Sequence, residues 1–157
     1  MKINIGIIET NAHHVGVILN TLLSDEYLLY TKTLNYHWNV KGIQFNDLHI
    51  FFEKQYEDLF EIIDATAERA RSVGVRSLGT MNEFINSSRL QEHDGIIPPA
   101  QEMIKNLLSD HETIIRSLRI DLESCIEKYH DAGTNNFLTD LMEKHEKMAW
   151  MLRSFLE

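Results

Sequence analysis

A single cysteine, Cys125, leaves this chain without an intrachain disulfide, and its setting in DLESCIEKYH asks only for a small core or surface residue on a helix. Proline is confined to the adjacent Pro98 and Pro99, and the seven glycines (Gly6, Gly16, Gly42, Gly74, Gly79, Gly95 and Gly133) are spread thinly, so long helices must fill the gaps. No run approaches the roughly 18 apolar residues of a membrane span. The opening MKINIGIIETNAHHVG has one lysine and a short apolar patch, unlike a secretory leader. Positive charge is also short: 15 lysines and arginines face 24 acidic residues, a formal net charge of −9. So acidic a surface is repelled by phosphate backbones unless its cations are gathered in one place. The N-terminus offers only Lys2, and the last helix runs to Glu157 without a basic tail, so DNA binding is expected to be weak or absent. These absences predict one soluble globular domain over residues 1–157, in a reducing, cytoplasmic setting with no membrane contact.

What is present is helical periodicity. Residues 10–39 carry Val17, Leu22, Leu28, Leu29 and Leu34 near helical spacing, with Gly16 as a tolerated weak spot. Residues 45–73 form the firmest helix: Phe45, Leu48, Phe52, Tyr56, Leu59, Ile63, Ala67 and Ala70 step by three and four, the seam of a bundle. Thr80 with Glu83 three residues on is a capping-box signature for a short helix. A third long helix begins with the prolines in its first turn and ends at Gly133, and Thr134 caps a fourth. The expected fold is all-α, a four-helix bundle with a short extra helix in the crossover between the second and third long helices.

Most of the eight histidines have polar or amphipathic surroundings, and His13, His14, His93, His111, His130 and His145 are expected at the surface or at caps. Bundles of this kind often hold a di-iron centre marked by two Glu-x-x-His pairs, but only Glu127 with His130 fits, so an intrachain centre is disfavoured. The second helix offers another arrangement. Rotation by about 100° per residue puts His49, Glu53, Asp64 and Glu68 at roughly 0°, 40°, 60° and 100°, on one face. A solvated acidic stripe would look the same, although it would not need Tyr56 and Phe60, which share that face. At 1.5 Å per residue His49 lies about 22 Å from Asp64, too far for one metal to bridge. His37, at the end of an antiparallel first helix, belongs with His49 and does not close the gap. Two copies packed antiparallel about a point near residues 57 and 58 would bring each histidine end to a partner's carboxylate end, making two sites per isologous dimer.

The stretch HWNVKGIQFNDLHIFFEKQYEDLFEIIDATAER resembles the signature of the Dps family, the miniferritins of the ferritin-like superfamily: a histidine followed by Trp38, a second histidine twelve residues on, and an Asp-x-x-x-Glu pair beginning fifteen residues later. The likeness extends over nearly the whole chain to the closing WMLRSFL. It implies a dodecameric shell with ferroxidase sites at twofold interfaces, where Fe(II) is oxidised, preferably by hydrogen peroxide, and ferric mineral is stored. By position His37 and His49 would come from one subunit and Asp64 and Glu68 from its mate. Glu53 stands where an aspartate is common and would ligate a second iron directly or through water. Trp38 resembles the residue thought to intercept stray oxidising equivalents, unless it merely packs at the interface. The family's acidic threefold pores would fall near Asp131, Asn136 and Asp140. Imidazole and carboxylate donors suit Fe(II). Two rivals stay open: a DNA-compacting protein, and a non-enzymatic bundle holding zinc on the same donors.

Overall fold

The computed structural model describes residues 3–93 and 95–157, so Lys2 lies outside the described residues. Its elements are α1 (Glu9–Asn39), α2 (Phe45–Ser72), α3 (Met81–Ser87), α4 (Ala100–Glu127) and α5 (Ala132–Ser154). Helices α1 and α2 form one hairpin and α4 and α5 another, with α1 also packed against α4. Gly42, at φ +114°, turns the chain between α1 and α2 in a conformation that other residues rarely adopt. The short α3 sits in the crossover, as expected. Thr80 accepts from Glu83 N–H while the Glu83 carboxylate accepts from Thr80 N–H at 3.1 Å, so both halves of the capping box form.

The core runs the length of both hairpins, with Leu19, Leu22 and Leu29 of α1 and Phe52 and Leu59 of α2 meeting Ile104, Leu107 and Ile114 of α4 and Leu138 and Leu152 of α5. Each such side chain contributes about 1.5–3 kcal/mol on burial. Val17 of the expected α1 stripe lies outside that core, exposed, and Phe45 is exposed at the start of α2. Gly16 is more than tolerated. A Cβ there would collide with the Val75 side chain, so its small size lets the chain beyond α2 pack onto α1.

Polar anchors tie the crossover to α1. The buried Asp25 carboxylate accepts from Ser88 Oγ (2.9 Å), Arg89 N (2.6 Å) and Arg89 Nε (2.7 Å). Lys32 donates from Nζ to Asp110 (2.6 Å) and to the Gln91 carbonyl (2.8 Å). Burial pushes the Asp110 carboxyl up, against the pull of Lys32.

The expected ends of the last two helices move. Both prolines precede α4, which stops at Glu127, and the chain reverses at His130 with φ 55°. Asp131, rather than Thr134, caps α5: its carboxylate accepts from Thr134 N–H (2.9 Å) and Thr134 Oγ1 (2.6 Å), and pairs with Arg69. His130 therefore lies beyond the helix that carries Glu127, and their spacing has no helical meaning. Cys125 is buried, and burial pushes its thiol up to about 12.

The largest correction concerns two histidines. His111 and His145, expected at the surface, are 0% exposed. Each occupies a core position on an apolar stripe, His111 between Leu107 and Ile114 on α4 and His145 between Leu141 and Leu152 on α5. Glu26 of α1, also 0% exposed, completes a chain: His145 Nε2 to Glu26 Oε1 at 2.8 Å, and His145 Nδ1 to His111 Nδ1 at 2.9 Å. Mutual hydrogen bonding is what makes their burial tolerable. The other four of that group, His13, His14, His93 and His130, are exposed.

Candidate metal centre

The α1–α2 turn sets two imidazoles against each other. His37 lies in the last turn of α1 and is buried, while His49 lies in the first turns of α2 and is half-buried. Carbonyls in the last turn of a helix have no intrahelical partner. Here His49 Nδ1 donates to the His37 carbonyl (2.9 Å), and His37 Nδ1 donates to the His49 carbonyl (2.8 Å). A carbonyl oxygen only accepts, so both Nδ1 atoms carry hydrogen. That leaves Nε2 of each ring as the nitrogen able to offer a lone pair, the arrangement a metal-binding imidazole needs from its supporting hydrogen bond. The rings stack at 3.8 Å between centroids, 17° from parallel. Phe45 stacks on the outer face of this pair at 5.2 Å from His49, and the Tyr56 ring stands edge-on to His37, also at 5.2 Å.

One turn beyond His49, half-buried Glu53 accepts from Tyr56 Oη at 3.4 Å. Asp64 and Glu68 lie on the same helix about 22 and 28 Å from His49 by helical rise. Both are exposed, and among the described residues neither carboxylate has a partner. Phe60 is exposed between the two ends. Among the described residues no three histidine, cysteine or acidic side chains converge as a metal site would require. A single chain thus carries two pre-oriented imidazoles at one end of α2 and two unpaired carboxylates at the other. Trp38, beside His37 in sequence, is 68% exposed in the single chain.

Of the residues expected near an entry pore, Asn136 and Asp140 are exposed on the first turns of α5. Asp131 is not free for such a role, being 3% exposed and held by Arg69 and Thr134. The residues that went unrecognised are Glu26, His111 and His145. Their signal was the step of three and four that places His111 in the series Ile104, Leu107, Ile114, Leu118 and His145 in the series Leu138, Leu141, Met148, Leu152. Burial pushes His111 well below the ordinary histidine range, and an adjacent charge on His145 would push it the same way. Glu26 Oε2 and His111 Nε2 have no hydrogen-bond partner among the described residues.

The ferritin-like domain family matches residues 17–157. A low temperature-induced protein of Nostoc sp. (strain PCC 7120), all0458, is 47% identical over 156 residues, 99% of this chain and 87% of that protein. DNA protection during starvation protein 2 of Bacillus anthracis is 35% identical over 139 residues, 88% of this chain and 94% of that one. Among solved structures, the Dps protein of Vibrio cholerae O1, described as a member of a broad superfamily of ferritin-like diiron-carboxylate proteins, superposes with a TM-score of 0.93 at 30% identity, covering 100% of this chain and 98% of the other. The Bacillus brevis Dps protein gives 0.90 at 30% identity, over 96% and 100%. A ferritin-like match over residues 17–157, a Dps relative 35% identical over 88% of this chain and a Dps structure superposing over all of it agree, and the chain belongs to the Dps family of ferritin-like proteins.

Proposed function

We propose that this protein stores iron and protects its cell from oxidative stress by oxidising Fe(II), with hydrogen peroxide as the preferred oxidant, at sites shared between twofold-related subunits of a hollow dodecamer. The observation that carries this reading is the division of α2. His37 and His49 have their Nε2 lone pairs aimed by reciprocal carbonyl hydrogen bonds, and Asp64 and Glu68 are left unpaired at the far end. Iron is the substrate. The two imidazoles with Asp64 of the partner subunit and Glu68 of the partner subunit hold one Fe(II), and Glu53 assists a second, directly or through water. Two Fe(II) reduce one hydrogen peroxide to two waters with uptake of two protons, and no hydroxyl radical leaves the site. Trp38, next to His37, intercepts equivalents that stray outward. Fe(II) enters past Asn136 and Asp140.

The test is the growth of ferric absorbance when Fe(II) and then peroxide are added to the assembled protein. A chain carrying His37→Ala and His49→Ala should lose the fast phase and still elute as the parental oligomer, because Phe60 and its apolar neighbours, not the imidazoles, would hold the interface. Oxidation at the parental rate would mean that the site is elsewhere. A zinc-holding scaffold predicts no turnover in the parent either.

Protection in this reading does not require DNA contact. With a net charge of −9, the assembled protein at moderate salt should leave plasmid mobility in a gel unchanged across a titration. Retention of plasmid in the well would show that cations gather somewhere on the shell after all.

A further inference from the structure

Within one chain, the redox-active ring in contact with a candidate iron ligand is Tyr56. Its ring lies 5.2 Å from that of His37 at 77°. From it the aromatic contacts continue along α1 to α3: Tyr56 to Tyr30 at 6.2 Å and 85°, Tyr30 to Tyr27 at 6.4 Å, and Tyr27 stacked on Phe84 of α3 at 4.1 Å. All three tyrosines are half-buried. Trp38, by contrast, is mostly exposed and has no ring contact among the described residues.

We propose that Tyr56 is a redox relay residue, the first acceptor of a one-electron oxidising equivalent generated at the histidine end of the site, with Tyr30 and Tyr27 sharing it. The proposal rests on the ferroxidase reading above. It supplies what that reading lacks when only one Fe(II) is bound, since peroxide needs two electrons and a lone Fe(II) gives one.

The chemistry balances in three steps. Fe(II) and hydrogen peroxide give Fe(III), hydroxide and a hydroxyl radical as the O–O bond breaks. The radical takes the hydrogen atom of Tyr56 Oη, so that this O–H bond breaks, water forms and a phenoxyl radical remains. A second Fe(II) then gives one electron, and with one proton from solvent it restores the phenol and leaves a second Fe(III), while a second proton converts the hydroxide to water. The sum is the two-iron reaction, with the tyrosine holding the missing electron in the interval.

Position supports the role. The Tyr56 hydroxyl donates to Glu53 Oε1, which keeps Oη on the helix face that carries His49 and Glu53. Phe60, 6.2 Å from Tyr30, has no hydroxyl hydrogen to give and cannot substitute. The edge-to-face contacts are a favoured aromatic geometry that holds Tyr56 and Tyr30 in fixed relation.

The experiment uses the assembled protein loaded with one Fe(II) per site, mixed with one equivalent of peroxide and freeze-quenched for electron paramagnetic resonance, with ferric absorbance and peptide mass spectrometry followed in parallel. The parent should show a tyrosyl radical whose spectrum narrows when ring-deuterated tyrosine is incorporated. Tyr56→Phe, which keeps the ring and its packing, should lose most of that signal and shift oxidative mass gains onto Trp38. Tyr30→Phe should keep the radical and confine it to Tyr56. If ferric product forms while the tyrosyl signal is absent from the parent, or is undiminished in Tyr56→Phe, the relay is wrong and the ferroxidase reading stands. If loss of signal follows Trp38→Phe instead, the indole is the acceptor. If the parent forms no ferric product with excess Fe(II) and peroxide, both fall together.

Discussion

Two inactive proteins should become active when mixed. A chain with His37→Ala and His49→Ala lacks the imidazole half of every site, and a chain with Asp64→Ala and Glu68→Ala lacks the carboxylate half, so each homo-oligomer should lose fast iron oxidation. After co-refolding, a dimer of one chain of each kind holds one site built from the histidines of the second chain and the carboxylates of the first, while its other site carries both lesions. Random pairing makes half of the dimers mixed, so about a quarter of parental sites should return if association is symmetric and isologous. The expectation depends on helix geometry: the donors lie about 22 Å apart on one rigid rod, and no rotamer change closes that distance. An intrachain site could not be rescued, since every chain keeps its own defect. A mixture as inactive as its components, with co-assembly confirmed by mass, would sink the interface site.

The second large effect lies in the core. In His145→Leu the Glu26 carboxylate and the His111 ring, both fully buried, would lose the partner that joins them. Leaving a buried polar group without its hydrogen-bond partner costs about 1–3 kcal/mol, and here two such groups would be left desolvated and uncompensated. At fixed concentration and scan rate this should lower the thermal midpoint by about 10 °C. A drop below about 2 °C would mean that water or a rotamer change satisfies Glu26 after all.

The same cluster sets a pH dependence. His111 is neutral in the folded bundle because burial holds it well below the ordinary histidine range. In the unfolded chain it takes up a proton as pH falls through about 6.5, so the unfolded state binds more protons there. Its contribution to stability is therefore complete above that pH and lost as the pH drops below it. Thermal midpoints measured between pH 7.5 and 5.5 should fall in the parent and fall less steeply in His111→Gln. Parallel slopes would show that other groups dominate.

Sequence by itself determined the helices, the crossover cap and the division of α2. Each depends on spacing along one chain: a step of three or four marks a helix face, Thr80 and Glu83 meet because they are three apart on a turn, and His49 and Asp64 are separated by a rise that no neighbour alters. The resemblance carried by His37, Trp38, His49, Asp64 and Glu68 was legible for the same reason, being a pattern of intervals. What only the tertiary structure decided concerns which faces meet. Glu26, His111 and His145 come from three helices, and composition made the histidines look like surface residues until α1, α4 and α5 closed on them. Asp131 is a cap bonded to Arg69 because α2 runs past the α4–α5 turn, which no local interval encodes. The tautomers of His37 and His49 and the contact of Tyr56 with His37 depend on how α1 and α2 are rotated about their axes when they pack. A difference of tens of degrees there, invisible in the spacing of either helix, separates reciprocal hydrogen bonds from two imidazoles in water.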